Sequence, residues 1–437
     1  MEKNLRGSSP SPGLSFQGTK KENLGLAIDL GSTSLALSLW DLGPGGKELA
    51  QLSRPNPQLA RGLDVISRIH YAHKSKTNLK DLQALALEGI NGLIWDLEKD
   101  LGFSKEAIKG LVLVANPTLL HLLLGLDPIG LAQAPYKPNF LQAPPLEAMS
   151  LGLDLSPGLL LLSPPALSAY VGADLVAGLV GLFPGPPEEN FLYLDLGTNV
   201  EILLQWEGKT YASSAPAGPA LEAMSLTWGM RAGEGALIGA HLAQDPIFLE
   251  VLGGGALQGI AGSGLIKLVG DFLDLGLIDA TGAFQEGASL PGHLAQRLVD
   301  LEGQRVFYLD RKVYLGQKDL RAFQLAKGAI SGAIRVLLQE AQVGGGILDR
   351  IYVAGALAQN LDPALLKKVG LVPQDLGARD LVLLGNAALR GAQSLLLDWG
   401  ALDTWASYLE KIRLLELSGN QAFEAAFLEE MVFPSPK

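Results

Sequence analysis

The chain repeats itself at a domain-sized interval, and that repeat restricts its fold more than any other feature of its 437 residues. AIDLGSTSLALSLW at 27–40 can be laid over YLDLGTNVEILLQW at 193–206 without a gap. Asp29 then meets Asp195, Leu30 meets Leu196, Gly31 meets Gly197, Leu37 meets Leu203 and Trp40 meets Trp206, all at one offset of 166 (195 − 29). Self-similarity over such a distance marks a duplicated fold. Each copy also opens the same way. LGLAIDLG, SLALSLWD and KELAQLS read as strand, strand, strand, with the turn Gly43-Pro44-Gly45-Gly46 before the third. FLYLDLGT, VEILLQWE and KTYASS read likewise after PGPPEEN, which marks a boundary.

The expected organisation is therefore α/β and two-lobed, with a cleft between the lobes. Residues 1–24, rich in Ser, Gly, Pro and Lys, read as a flexible tail or linker and not as a signal peptide. Residues 25–188 form the first lobe and 189–400 the second. Residues 401–437 supply a strand and a helix expected to return to the first lobe. Helices are expected near 64–71, 79–101, 118–124, 168–182 and 318–341, and from Asn386 onward. The proline-rich stretch 127–165 should run as extended connections.

Composition removes several classes of function. With 34 basic and 45 acidic residues the net charge is −11, which repels phosphate backbones and argues against a nucleic-acid partner. The chain has no cysteine, so it can hold neither a disulfide nor a thiolate zinc site nor a cysteine-ligated iron–sulfur cluster. His70 and His73, three apart beside Lys74 and Lys76, do not make a metal site. Two uncharged stretches are broken as membrane spans: 155–173 by Pro157, Pro164 and Pro165, and 110–126 by Asn116, Pro117 and His121. A cytoplasmic protein without a membrane partner is expected.

The repeated turn carries the chemistry. A triphosphate between two lobes needs backbone N–H donors near its oxygens and carboxylates for its metal ion. Gly31 and Gly197 let turn amides approach an anion without a Cβ in the way. Ser32, Thr33 and Ser34 in one copy, and Thr198 and Asn199 in the other, add short polar side chains. Asp29 and Asp195, at strand ends, are the candidate catalytic and metal-binding residues, placed to orient Mg²⁺ or its water shell. A third element, RIYVAGALAQN at 350–360, reads as a buried strand ending at Gly355, where an adenosine would pass close to the backbone. On the helix before it, Gln324 and Lys327 either flank a base and ribose or belong to a solvated face. GIAGSGLIK at 259–267 is either a phosphate-side turn or the start of a helix.

Taken together, these residues resemble the acetate and sugar kinase, Hsp70 and actin superfamily (ASKHA), whose fold is a duplicated ribonuclease-H-like, actin-like ATPase. Within it, the chain is similar to the C-terminal ATPase part of the reductive activators of corrinoid proteins, the RACo or RamA-like family, from about Gly25 to Pro434. The stretches that carry the likeness include NPQLARGLDVISRI at 56–69, NPTLLHLLLGLDP at 116–128 and YVGADLVAG at 170–178. Further ones are LDLGTNVEI at 194–202, GPALEAMSLTWGMRAGEGA at 218–236, GIAGSGLI at 259–266, QKDLRAFQLAKGAI at 317–330 and LLGNAALRGA at 383–392. The resemblance implies an Mg-ATP-binding homodimer that docks a corrinoid protein and uses ATP to drive reduction of its cobalt(II) to cobalt(I). In that family the electron arrives through a ferredoxin-like [2Fe–2S] domain. No such domain is found in this sequence, so the electron is expected from a separate donor. By the same resemblance Asp29 and Asp195 serve metal and water, Ser32–Ser34 and Thr198–Asn199 the phosphates, and Gly355 the adenosine.

The sequence departs from the family pattern at Ala356 and Ala358, which replace glycines, at Val200, and at Ala115 and Pro117. Two functions stay open on these grounds: an ATPase module, or a degenerate homologue that docks a corrinoid protein without turning ATP over. Sugar or acetate kinase activity has the fold in its favour but no acceptor motif.

Overall fold

The computed structural model of the protein describes residues 22–285, 290–355, 357–358 and 361–434. Most of the expected N-terminal tail, and Ala356, lie outside the described residues.

The first lobe opens with β1 (Leu24–Leu30), β2 (Ser34–Asp41) and β3 (Lys47–Pro55), continues through α1 (Val65–His73) and α2 (Lys76–Leu101), and returns with β4 (Ile108–Ala115) and α3 (Pro117–Leu123). The proline-rich stretch is not wholly extended. It holds a small hairpin, β5 (Leu146–Glu147) and β6 (Leu160–Leu161), around the one-turn α4 (Ala148–Leu151). Helix α5 (Ala173–Leu182) closes the lobe and starts later than its periodicity predicts, after an N-cap at Gly172.

The second lobe repeats the plan with β7 (Phe191–Leu196), β8 (Val200–Trp206) and β9 (Lys209–Ala215). Next come a small sheet of β10 (Ala236–His241), β11 (Phe248–Val251) and β12 (Gly259–Ile260), then α6 (Gly262–Asp274) and α7 (Gly292–Ala295). A meander of β13 (Leu298–Leu301), β14 (Gln304–Tyr308) and β15 (Tyr314–Gly316) precedes the long α8 (Gln317–Glu340). Strand β16 (Leu348–Ala354), α9 (Pro363–Lys368), β17 (Ala378–Gly385) and α10 (Ala387–Leu397) follow. The chain ends with α11 (Ala401–Leu409), β18 (Arg413–Leu414) and α12 (Gln421–Glu430).

Both main sheets confirm the duplication. The first has the order β3-β2-β1-β4, and the second contains β9-β8-β7-β16 in the same sequence, with β4 and β16 each parallel to the central strand. The superposition without a gap holds only up to the turn, however. Leu30 pairs with Leu35 across residues 31–34, whereas Leu196 pairs with Val200 across residues 197–199. The second turn is one residue shorter. Leu37 thus lies opposite Ile28, while Leu203 lies opposite Tyr193, the counterpart of Ala27, so the two leucines are not equivalent.

Strand periodicity aims the aspartates. Side chains alternate between the two faces of a sheet. Leu24, Leu26, Ile28 and Leu30 enter the core of the first lobe, and Leu192, Leu194 and Leu196 that of the second. The other face of each sheet carries Ala27 and Asp29, or Phe191, Tyr193 and Asp195. Its apolar members join a third core shared by both lobes, with α5 and α10 between them. These two helices touch backbone to backbone. A Cβ on Gly391 would lie 1.9 Å from the Ala177 carbonyl oxygen, and one on Gly181 would lie 2.7 Å from the Gly391 nitrogen.

The C-terminal segment corrects an expectation. Helix α11 packs on a first-lobe element, α5, with Trp405 fully buried, and the Ser418 hydroxyl meets that of Tyr136 (3.3 Å). Strand β18 joins the second sheet beside β9, and α12 lies along α8. The anchor is Lys327, buried in α8, whose ammonium donates to the carbonyls of Glu430 and Val432 (2.8 Å to the latter).

Candidate nucleotide cleft

The first turn is held from behind. The Asn56 side-chain amide donates to the Gly31 carbonyl (2.8 Å), the Arg68 guanidinium to the Ser32 carbonyl (2.5 Å), and the Asn56 backbone N–H to the Thr33 carbonyl (2.9 Å). In a planar trans peptide the C=O of one residue and the N–H of the next point in opposite directions. With three consecutive carbonyls drawn back, the N–H groups of Ser32, Thr33 and Ser34 face forward, which is the arrangement of an anion-binding nest. Asn56 and Arg68 both come from the NPQLARGLDVISRI stretch, which the sequence singled out without giving it a role. Arg68 is fully buried and donates to neutral oxygens of Gly62, Gln58 and Ser32. Burial pulls its pKa down to about 10, so the guanidinium still carries its charge at neutral pH under the turn.

Four carboxyl groups converge between the lobes. Asp29 is buried and accepts from the side-chain amide of Asn386 (2.7 Å), which also caps α10 through its oxygen. Burial raises the Asp29 pKa to about 7, against the Asn386 bond that lowers it and with a smaller push from the Asp174 charge. Asp195 is raised to about 8 by burial, then by the charges of Asp174 and Asp29. Asp174, in the first turn of α5, is raised to about 6 by burial. Glu201 is pushed well above its ordinary value by burial and by Asp174 and Asp195. Its position follows from the shortened turn: Glu201 pairs with Asp195 and shares its face, whereas the alignment without a gap matches it to Leu35, on the opposite face.

These carboxyls are crowded and desolvated, and the described residues place no ammonium or guanidinium in hydrogen-bond contact with Asp29. A divalent cation fits that chemistry. No group of three or more His, Cys, Asp or Glu is close enough to cage a metal by itself among the described residues. That pattern suits Mg²⁺, which is commonly held by one or two carboxylates together with phosphates and water. The expected pH behaviour follows. Each of these carboxyls holds its proton more tightly in the folded chain than in the unfolded one, so its contribution to stability is lost as pH rises through the folded pKa. The melting temperature of the nucleotide-free protein should fall as pH rises from about 4, the ordinary carboxyl value, to about 8, through the folded pKa values of about 6, 7 and 8 of Asp174, Asp29 and Asp195. Millimolar Mg²⁺ with nucleotide should flatten that slope in a thermal-shift titration.

The remaining expected residues divide. Thr33 and Thr198 meet at one carboxylate: Glu222 accepts from the Thr33 hydroxyl (2.5 Å) and from the Thr198 hydroxyl (3.1 Å). Ser32, Ser34, Gly197 and Asn199 lie in the two turns as expected. Gly355 directly follows the β16 residue paired with Asp195, and it has a left-handed φ of 103°. A Cβ there would lie 2.3 Å from the Leu196 carbonyl oxygen, so a glycine is required for the close approach of this backbone to the end of β7. Gln324 and Lys327 are not brought to the cleft. Gln324 donates to the carbonyls of Thr281 and Met431, and both side chains are buried beneath the C-terminal segment. Their expected contact with base and ribose is replaced by a structural one, because residues about 100 positions later fold over that face. GIAGSGLIK forms β12 and the start of α6. Next to the second turn, a cavity of about 520 Å³ opens between the lobes, lined by Asn199, Glu201, Asn116, Tyr170 and the C-terminal segment near Leu415. No helix among the described residues is long and apolar enough to cross a membrane.

Comparison with known proteins supports the family and the fold. The RACo middle region matches residues 24–182, and the C-terminal domain of RACo, the ASKHA domain, matches residues 189–437. The corrinoid activation enzyme RamQ of Eubacterium limosum is 34% identical over 389 residues, covering 86% of this chain and 65% of its own length. A reductase of a methylated amine-specific Co(II) corrinoid protein, from Methanosarcina barkeri, is 26% identical over 296 residues, covering 62% of this chain and 51% of its own. Among solved structures, a reductive activator for a corrinoid, iron–sulfur protein superposes with a TM-score of 0.81 at 30% identity, over 96% of this chain and 67% of its own. The chain thus spans about half to two thirds of the length of these relatives.

Proposed function

The chain belongs to the RACo family, and from that premise we propose that it is an Mg-ATP-binding module that activates a corrinoid protein by coupling nucleotide binding and hydrolysis to reduction of its cobalt. The observation that carries this reading is the first turn, its carbonyls tied back by Asn56 and Arg68, in a chain whose Asp29 and Asp195 carboxyls are desolvated enough to raise their pKa values to about 7 and about 8. The turn amides would bind and orient the phosphates, and Asp29 and Asp195 are the residues that would hold the metal and orient a water. The metal supplies charge neutralisation of the phosphates. The electron itself comes from outside these residues, since 437 residues without a cysteine offer no thiolate to a cluster. A homodimer in the cytoplasm belongs to the same reading, and light scattering and cell fractionation check it.

The test is calorimetry with Mg-ATP and Mg-ADP, followed by phosphate release with and without a Co(II) corrinoid protein. Binding in the micromolar range and several-fold faster release with the corrinoid protein are expected. No heat at about 1 mM nucleotide, equivalent to less than about 4 kcal/mol of binding, overturns the reading.

One observation favours a second reading, a docking module that no longer turns ATP over. The hydroxyls of Thr33 and Thr198 are both engaged by Glu222, inside the space a phosphate would use. Binding of nucleotide without any phosphate release, with corrinoid docking intact, would decide for it.

A further inference from the structure

Glu222 lies on the connection between β9 and β10, in the second lobe, yet it bonds to Thr33 in the first across a separation of 189 residues. Its second partner, Thr198, belongs to the other turn. One carboxylate therefore joins the two turns that would grip a polyphosphate. Two cations lie within reach of its carboxylate: Arg68, buried under the first turn, and Arg231, further along the Glu222 connection. The neighbouring backbone is constrained. Ala223 is fully buried with a left-handed φ of 60°, a conformation unfavourable to a residue with a Cβ. The Ala223 carbonyl sits where a Cβ on Gly229 would fall, 1.6 Å away, so the connection folds tightly on itself. Four residues after Ala223, the Thr227 backbone N–H and hydroxyl both donate to Asp319 at the start of α8 (2.8 and 3.1 Å).

We propose that Glu222 occupies, in the nucleotide-free protein, the anion position between the two turns, that it staples the lobes together there, and that Mg-ATP must expel it to bind. The inference rests on the nucleotide reading above and extends it to a residue not assigned a role. A terminal phosphate and a carboxylate compete for the same hydroxyl donors and repel one another at contact distance. Expulsion releases the bond from Glu222 to Thr33 and moves the connection 216–231, which is anchored to α8 through Thr227 and Asp319. Nucleotide occupancy is thereby transmitted from the cleft to the second-lobe surface as a displacement of one loop.

Two measurements test this, one with nucleotide and one without. Glu222→Gln keeps the shape and removes the competing charge, so calorimetry should give about tenfold tighter Mg-ATP binding, with a smaller change for Mg-ADP. Hydrogen exchange at residues 220–227 should rise on adding Mg-ATP to the unaltered protein, and should already be raised in Glu222→Gln. Tenfold weaker binding in that variant, or exchange indifferent to Mg-ATP, overturns the proposal and makes Glu222 a ligand of the bound state. The second measurement needs no nucleotide. The chain has no cysteine, so Lys80→Cys and Arg311→Cys place one spin label on each lobe. The distance distribution between them should broaden when Glu222→Ala is added. An unchanged distribution overturns the staple. If neither protein binds nucleotide, the functional reading fails by itself and this second measurement still decides whether Glu222 joins the lobes.

Discussion

Asp195→Asn is expected to raise the melting temperature of the nucleotide-free protein and, in the same variant, to lower Mg-ATP turnover by about a hundredfold or more. The two effects have one cause. Burial and the charges of Asp174 and Asp29 raise the Asp195 pKa to about 8, so at pH near that value the folded chain carries a carboxylate it would hold more comfortably in water. Asparagine keeps the volume and removes the charge, and with it the repulsion on Asp29 and Glu201. A stabilisation of a kcal/mol shifts the melting temperature by about 2–4 °C for a domain of 150–250 residues. The lost anion is also one of the two that would hold the metal, and removing a preorganised charge from such a site typically costs about 10²–10³ in rate. Thermal melts with and without Mg-ATP, alongside phosphate release, read both. An aspartate kept for folding would show the opposite sign in the first measurement.

Gly391→Ala is expected to destabilise the protein by about 3 kcal/mol, the upper end of what overpacking commonly costs. Alanine at a helical glycine ordinarily stabilises by about 1 kcal/mol, so the sign itself is informative. The new methyl would stand 1.9 Å from the backbone oxygen of Ala177, and backbone cannot rotate away as a side chain can. Relief requires α10 and α5 to separate, opening the core that both lobes share. Gly344→Ala, in a bend after α8 where nothing lies within 4 Å of the new Cβ, serves as the unhindered control and should be nearly neutral. Equal denaturant midpoints for the two variants would show that the helices do not meet as described.

Much of this was legible from sequence because it depends on local periodicity. Two aspartates, each next to last in a strand of alternating pattern, must face the same way as the residues two before them, and the duplication brings the two faces together. The carboxyls of Asp174 and Glu201, the bridge at Glu222 and the amide of Asn386 were not legible. Each reaches the cleft through long-range closure, as with Asn386 and Asp29, 357 positions apart. Gln324 and Lys327 show the converse. Polar residues on a helix invite a ligand, but here their hydrogen bonds go to carbonyls of Thr281 and of the last fifteen residues. The anchoring of the first turn by Asn56 and Arg68 left a visible trace, since their stretch was conspicuous, but the carbonyls they tie back belong to tertiary geometry.

The missing residue in the second turn has a consequence for anyone who would treat the halves as interchangeable. Dropping one position from a hairpin turns its outgoing strand over, so a symmetric protein assembled from two first-lobe copies would set Ala36 opposite both aspartates and possess no equivalent of Glu201. Roles can be copied from one half to the other only as far as residue 197; beyond it, the halves are related by ancestry but not by residue number.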